Sequence, residues 1–554
     1  MCYYEMMGEL TQYIDEKINS GMDNFINKYD SKDNYFLIYP LINIEIGVMQ
    51  EPPENISNLV NRCITGFVYK YIKSKDIKLN FKTIDLASFE KFRRKVRPEL
   101  ANIFQDYRFN REIKAGNAIT HAILKEKEEN QYQLTTSLVT NKYKEENFYF
   151  YGFDDKEKFM QEVELVRLGN QKFWNKYLVG RYKDFIENRM EESIDDELYD
   201  YCKSLIRKDV NKWEGKVKSN IFSNMEELCG VLGFLYYLAF LRKMRSQILY
   251  ELNGMDKSVC DMLLMKYDKQ WLISKTSVVS GYNEHIVNRI ISYFINQGYA
   301  NILEFPLFQI GNDILTIPSL IIVNDWQFTI INGHHIKSGV EVKNRQKTIS
   351  AVTEKRISNM LGNIRNVLIA KEKYYEFYND DKIKINSDID YAIYDLEHNI
   401  LLVIEAKWKD NHYYDEIDES YVKIENTVNE IFKVQFDKHK RYLDIPGSIE
   451  YLFNNDGRLK NIRQKPNIYW LAVDKRSQFH KGDYHMISEF MLLYFLNLCI
   501  KEERIDLRIL VDEVSSLKTE VEYLSCDDEF RVIKLKNDNE ILIEKNELSL
   551  KYKF

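Results

Sequence analysis

Apolar and polar positions follow a helical period through the first half of the chain, and strand-like runs appear in the second. Up to about residue 272, stretches such as 165–190 and 225–252 place apolar residues three and four apart, which predicts helices. The rhythm changes near Thr276. A helix is predicted over 284–297, closed by Gly298. Runs of β character follow at 302–310, 314–323 and 326–331, punctuated by Gly311, Pro318 and Gly333. Next come a long helical stretch at 352–378, strands at 389–394 and 400–407, and a helix at 419–443. A strand at 467–473 and a helix at 487–499 complete the series. Strands alternating with helices predict an α/β fold with a mixed central sheet. The alternation around Asn537-Asp538-Asn539 near the end suggests a small β appendage. The expected organisation is therefore multidomain: a mainly α-helical domain over 1–275, an α/β domain over 276–500 and a β-rich appendage over 501–554.

Length agrees with that division, because 554 residues exceed what one hydrophobic core usually organises. A hydrophobic fraction of 45% excludes a wholly disordered or collagen-like chain. Lys and Arg number 78 against 85 Asp and Glu, a formal charge of −7. A nucleic-acid binder of this composition has to concentrate its positive charge locally. The basic run KFRRKVR at 91–97 would spread over several faces of a helix, and reads as a solvated surface rather than a phosphate patch. The seven cysteines form no CxxC pair, which excludes a disulfide framework or a zinc ribbon. The first residues lack the basic flank and apolar core of a signal peptide. The apolar run at 229–241 falls short of the roughly 20 residues that cross a bilayer, and reads as a buried helix. The expectation is a soluble, cytoplasmic protein with no membrane partner.

The chemistry concentrates in 387–410, SDIDYAIYDLEHNILLVIEAKWKD. Two β-type segments flank a polar turn around 397–399, and the apolar run 401–404 ends in Glu405-Ala406-Lys407. Strand periodicity puts Glu405 and Lys407 on one face, and likewise Asp388 and Asp390. A hairpin would bring a carboxylate from each strand to one end of the sheet, beside an ammonium group. Two carboxylates and a backbone carbonyl suit Mg²⁺, or Mn²⁺ in its place, and such a site suits phosphodiester hydrolysis.

These residues resemble the PD-(D/E)XK nuclease superfamily, the restriction-endonuclease-like fold. Asp390 matches the signature aspartate and Glu405-Ala406-Lys407 matches ExK, fifteen residues later across a strand–turn–strand. Ile389 stands where the literal motif has proline. The resemblance covers about 352–473. It implies that Asp390, Glu405 and the carbonyl of Ala406 bind the metal and that Lys407 supports catalysis. Members often place a glutamine in the following helix, where Gln435 extends the stripe Ile424, Val428, Ile431, Gln435, Lys438. Gln435 is either a catalytic contributor or a packed, hydrogen-bonded side chain, since Tyr442 lies seven residues on where the familiar spacing is four. His439 reads as a surface or phosphate-contacting residue rather than a base. The helical glutamate of many members has three candidates, Glu284, Glu354 and Glu372, of which Glu354 is favoured. Asp388 is either a supporting carboxylate or a second metal ligand.

Other chemistries lack a motif. His334-His335 has no partner at a metal-ligand spacing, and there is no GxxxxGK[ST], GxSxG or HExxH. The expectation is a Mg²⁺-dependent endonuclease, with DNA favoured over RNA as the nucleic-acid partner. The helical half would sense a trigger, hold substrate, or bind a protein partner or a second copy. A helical regulator joined to a nuclease is similar to bacterial or mobile-element antiviral defence effectors. The alternatives are an RNA-cleaving nuclease of the same fold and a noncatalytic scaffold that recruits partners. The intact Asp–Glu–Lys set favours an enzyme.

Overall fold

The computed structural model describes residues 3–29, 39–49, 57–75, 90–104, 106, 107, 110, 123–135, 148–149, 171–180, 182–187, 191–254, 257–296, 302, 305–324, 326, 330, 340–343, 345–378, 381–406, 426–461, 464–474, 479–481, 484–516, 519–535 and 539–552. Helices and strands are both present, and the largest sheet mixes parallel and antiparallel strands. The chain forms two compact units. One comprises Ile14–Phe109 and Lys156–Asn344; the other comprises Met1–Tyr13, Asn110–Asp155 and Arg345–Phe554. Residues 276–344 thus group with the mainly helical unit, and 110–155 and 501–554 with the unit that carries the large sheet.

The helical unit is organised by Met225–Asn253. Asn224 caps its start by accepting from the Glu227 N–H, and Glu227 reaches back to the Ser223 N–H. Every residue from Glu227 to Leu241 is buried, so this apolar run is a core helix. Among the described residues no helix is long and apolar enough to cross a membrane. Lys243, fully buried, donates to Glu45 at 2.8 Å, and Glu45 also accepts from the Ser319 N–H. Part of the β character expected here gives way to helix. The strands are Phe308–Ile310 and Asp313–Thr316, whereas Pro318–Ile322 is helical, with proline fixing the first turn.

The sheet unit places helix α1 (Arg345–Leu361) before its main strands. The strands are β1 (Phe148–Tyr149), β2 (Val367–Tyr378), β3 (Lys384–Asp395), β4 (Ile400–Ala406), β5 (Asn467–Asp474), β6 (Phe479–Lys481) and β7 (Tyr484–Ser488). Their order across the sheet is β1-β6-β7-β5-β4-β3-β2. β2, β3 and β4 form an antiparallel meander, and β4, β5 and β7 run parallel. Between β4 and β5 the chain winds as a π-helix over Val428–Gln435 and continues as helix α2 (Phe436–Leu443).

Helices α3 (Glu489–Cys499) and α4 (Leu507–Ser516) join α1 on one face, around Tyr391, Ile393, Leu402 and Ile404. Tyr442 and Leu443 of α2 cover the other, around Ala392, Tyr394, Leu401 and Val403. The core is therefore two apolar layers on either side of one sheet. The helix expected over 352–378 ends at Leu361, before Gly362; the residues beyond, rich in Val, Ile, Tyr and Phe, form β2. The C-terminal strands Thr519–Lys534 and Glu540–Tyr552 pair with each other, and the second also pairs with Gln131–Thr135.

Gly233 sets the approach of two helices in the helical unit. A Cβ there would stand 2.9 Å from Cα of Lys203 on helix Asp196–Val210. Gly233→Ala is therefore expected to destabilise by about 1–3 kcal/mol despite the better helix propensity of alanine. Urea unfolding of the full chain measures it, and a stabilised variant would refute the close approach.

Candidate functional site

The site forms where β3 leaves β4. Their ladder runs from Asp395↔Ile400 to Tyr391↔Ile404. One step on, the side chain of Asp390 substitutes for the backbone: its Oδ2 accepts the Ala406 N–H at 2.8 Å. The first half of β3 continues as an arm paired with the second half of β2. The arm begins at a slip in the alternation of both strands. On β3, Ile389 and Ala392 face the Tyr442 layer while Tyr391 faces the opposite one. On β2, Ala370 and Tyr375 face the Tyr442 layer, and Glu372 between them has φ 40°. A positive φ at a residue with a Cβ is strained, and it reverses the pleat at this step. The two-residue spacing from Asp388 to Asp390 crosses the slip, and Asp388 sits exposed opposite Tyr374.

Glu405 ends the apolar strand β4 and is only 2% exposed. A carboxylate so far from water needs a partner. His439 supplies it: its Nε2 lies 3.3 Å from Glu405 Oε2, with the imidazole fully buried. On the other side of the ring, Nδ1 lies 2.6 Å from the Tyr375 hydroxyl. Tyr375 stacks on Tyr442, ring centroids 4.0 Å apart and planes at 10°. Burial, foremost, pushes the Tyr375 phenol well above its ordinary pKa; Ser387 pulls the other way, and Glu405, Tyr442 and Asp388 add to the rise.

The stripe that starts from Ile424 bypasses His439, although Phe432, Phe436, His439 and Leu443 are spaced just as helically. The expected stripe runs through Gln435 and Lys438, and His439 is expected as a surface or phosphate-contacting residue, whereas it is fully buried. The buried residues are instead Val428, Ile431, Phe432, Phe436, His439, Tyr442 and Leu443. Val428, Phe432, Phe436, His439 and Leu443 follow one another at spacings of four, four, three and four, an ordinary helical face, and its first part is wound as the π-helical turn. Gln435 ends half-buried, its Oε1 accepting from the Ser387 hydroxyl at 3.2 Å, and so ties the helix to the arm of β3.

Asp390 and Glu405 are thus brought to adjoining strands at the fork, with the Ala406 backbone between their contacts. Lys407 lies outside the described residues, as do His334 and His335. The three glutamates separate. Glu284 belongs to the helical unit and accepts from Ser274 and Gln270. Glu372 occupies the strained step on β2, exposed. Glu354 stands on α1, whose Ile357 and Leu361 pack on the Tyr391 layer. Its Oε1 is buried without a hydrogen-bond partner among the described residues.

Another acidic cluster, Asp395, His398 and Asp506, lies at the far end of the hairpin. Its oxygens are engaged in shaping turns: Asp395 accepts from the N–H groups of Glu397, His398 and Leu507, and Asp506 from Arg508. It clamps the turn to the start of α4. No family model, curated protein or solved structure matches the chain.

Burial, with the charge of Glu372 adding and that of Lys371 opposing, raises the Glu354 pKa from 4.5 to about 7. The folded state therefore holds this proton more tightly than the unfolded one. Its stabilising contribution is complete below about pH 4.5 and is lost as the pH rises through 7. Glu354→Gln should melt like the wild type at pH 4 and at a higher temperature at pH 8. An identical offset at both pH values, followed by circular dichroism, would contradict the assignment.

Proposed function

We propose that the chain is a Mg²⁺-dependent nuclease of the PD-(D/E)XK type, acting on DNA, with its site at the fork between β3 and β4. The observation that carries the reading is the hydrogen bond from the Ala406 N–H to Asp390 Oδ2, which sets the two carboxylates on strands that part beside a backbone carbonyl. Asp390, Glu405 and the Ala406 carbonyl form an all-oxygen donor set of the kind Mg²⁺ prefers, and Mn²⁺ can replace it there. The bound ion would supply Lewis acidity for the phosphodiester and lower the pKa of a water. Lys407 follows Glu405 by two residues; its ammonium would position the attacking water and offset charge developing on the phosphate. Gln435 would act indirectly, by holding Ser387 and with it the arm that leads into Asp390.

The arm also supports a nucleic-acid substrate. Tyr374 and Tyr378, 51% and 68% exposed, lie on its solvent side and offer ring faces on which bases can stack. With a chain charge of −7, such local contacts matter more than a global field. A defence role for a helical regulator joined to this nuclease remains part of the proposal.

The test is cleavage of plasmid DNA, single-stranded DNA and RNA by the full chain, with Mg²⁺, with Mn²⁺ and with EDTA. DNA should be cut only with metal, and Asp390→Ala, Glu405→Ala and Lys407→Ala should each lower the rate by about 10²-fold or more. Cleavage of RNA alone would move the substrate class. Cutting that survives in all three variants would refute the site.

A further inference from the structure

We infer that His439 is the positioning residue for Glu405, and that Tyr375 locks its imidazole so that Nε2–H points at the carboxylate. The inference rests on the metal-dependent reading above. Its argument is the direction of the bonds in a buried line of three side chains, Tyr375, His439 and Glu405, with separations of 2.6 and 3.3 Å. An ionised carboxylate only accepts, so the contact at Glu405 Oε2 requires the proton on Nε2. In a neutral imidazole Nδ1 is then the acceptor, and the Tyr375 hydroxyl must donate to it. The acceptor-only carboxylate thereby sets the tautomer, and the Tyr375 hydroxyl holds the ring by donating to Nδ1.

The geometry leaves the ring little freedom. His439 is fully buried and meets Tyr375 edge-on at 73°, with Phe436 at 6.1 Å on another side. Tyr375 is itself held by its stack on Tyr442. The terminal torsion of a glutamate is broad, so an unrestrained Glu405 would sample many carboxylate orientations. The hydrogen bond from His439 selects one before a cation arrives. Groups that orient a metal ligand in this way typically change metal affinity by about 10–100-fold when removed. The role assigned to His439 is orientation, with Nε2 turned to the carboxylate.

The experiment titrates the full-length chain with Mn²⁺ alone, reading free Mn²⁺ by electron paramagnetic resonance, with circular dichroism melts as the folding control. Wild type should bind and Asp390→Ala should not. His439→Ala should bind about 10–100-fold more weakly. His439→Gln, whose side-chain amide can donate to Glu405, should recover most of the affinity. Tyr375→Phe keeps the ring stack and loses the hydroxyl, so it should bind several-fold more weakly; it also covers the case in which His439→Ala fails to fold. Wild-type affinity in both His439→Ala and Tyr375→Phe, beside an Asp390→Ala that does not bind, would overturn the inference while leaving the metal reading intact. Binding lost in His439→Gln as fully as in Asp390→Ala would make His439 a ligand and also overturn it. No Mn²⁺ binding by the wild type would defeat the metal reading, and this inference with it.

Discussion

The Ala406 N–H can bond to only one acceptor well, and in this protein that acceptor is the side chain of Asp390. The fork in the sheet follows from that choice. Beyond it the first half of β3 keeps β2 as its ladder partner, while β4 runs on beside β5 through Ala406. The parting costs a ladder bond and a strained residue, since Glu372 opposite Asp390 adopts φ 40°. Such a step is worth roughly 1–3 kcal/mol of strain. The apolar layers on both faces of β3 and β4 offset that cost and leave Asp390 and Glu405 on adjoining strands where the sheet forks.

The second constraint is Glu405 itself. A carboxylate almost wholly withdrawn from water is stable only when bonded, and the partner comes from the helix that crosses between β4 and β5. His439 lies on the helix that follows the π-helical turn over Val428–Gln435, on one buried face with Phe432, Phe436 and Leu443. Helix, arm and strand end are thus fixed to one another by polar contacts: Gln435 to Ser387, His439 to Tyr375 and Glu405, and Ala406 to Asp390. On the opposite face, Glu354 is a buried carboxyl whose charge is suppressed by its surroundings.

Much of this was legible in the sequence, unevenly. The helix Met225–Asn253 announces itself by the unbroken apolar run from Leu228 to Leu241, and burial of that run on every side follows from composition alone. The β3–β4 hairpin and the placement of Asp390 and Glu405 were readable from strand patterning and spacing, because both strands are central and apolar. β2 was not. Its residues 367–378 run as an apolar, a charged and an aromatic-rich block that fits neither period cleanly, and its role as partner to β3 decides for a strand. The slip at Glu372 and the π turn before α2 are one-residue departures from regular periods, invisible to any argument that assumes those periods. The slip hid Tyr375, although the aromatic richness of Tyr374-Tyr375-Glu376-Phe377 was visible; His439 was legible from its spacing with Phe432, Phe436 and Leu443, and only the choice of the Gln435 stripe passed it over. Pro318, read as an interruption of a strand, was the signature of a helix start.

The central claim is that Asp390, Glu405 and the Ala406 carbonyl together hold a divalent cation at the fork. Crystals of the full chain grown with Mn²⁺ and measured at its absorption edge address that directly. An anomalous peak bonded to both carboxylates and to that carbonyl is the predicted result. A well-ordered fork with no anomalous density, in crystals saturated with the metal, would contradict it.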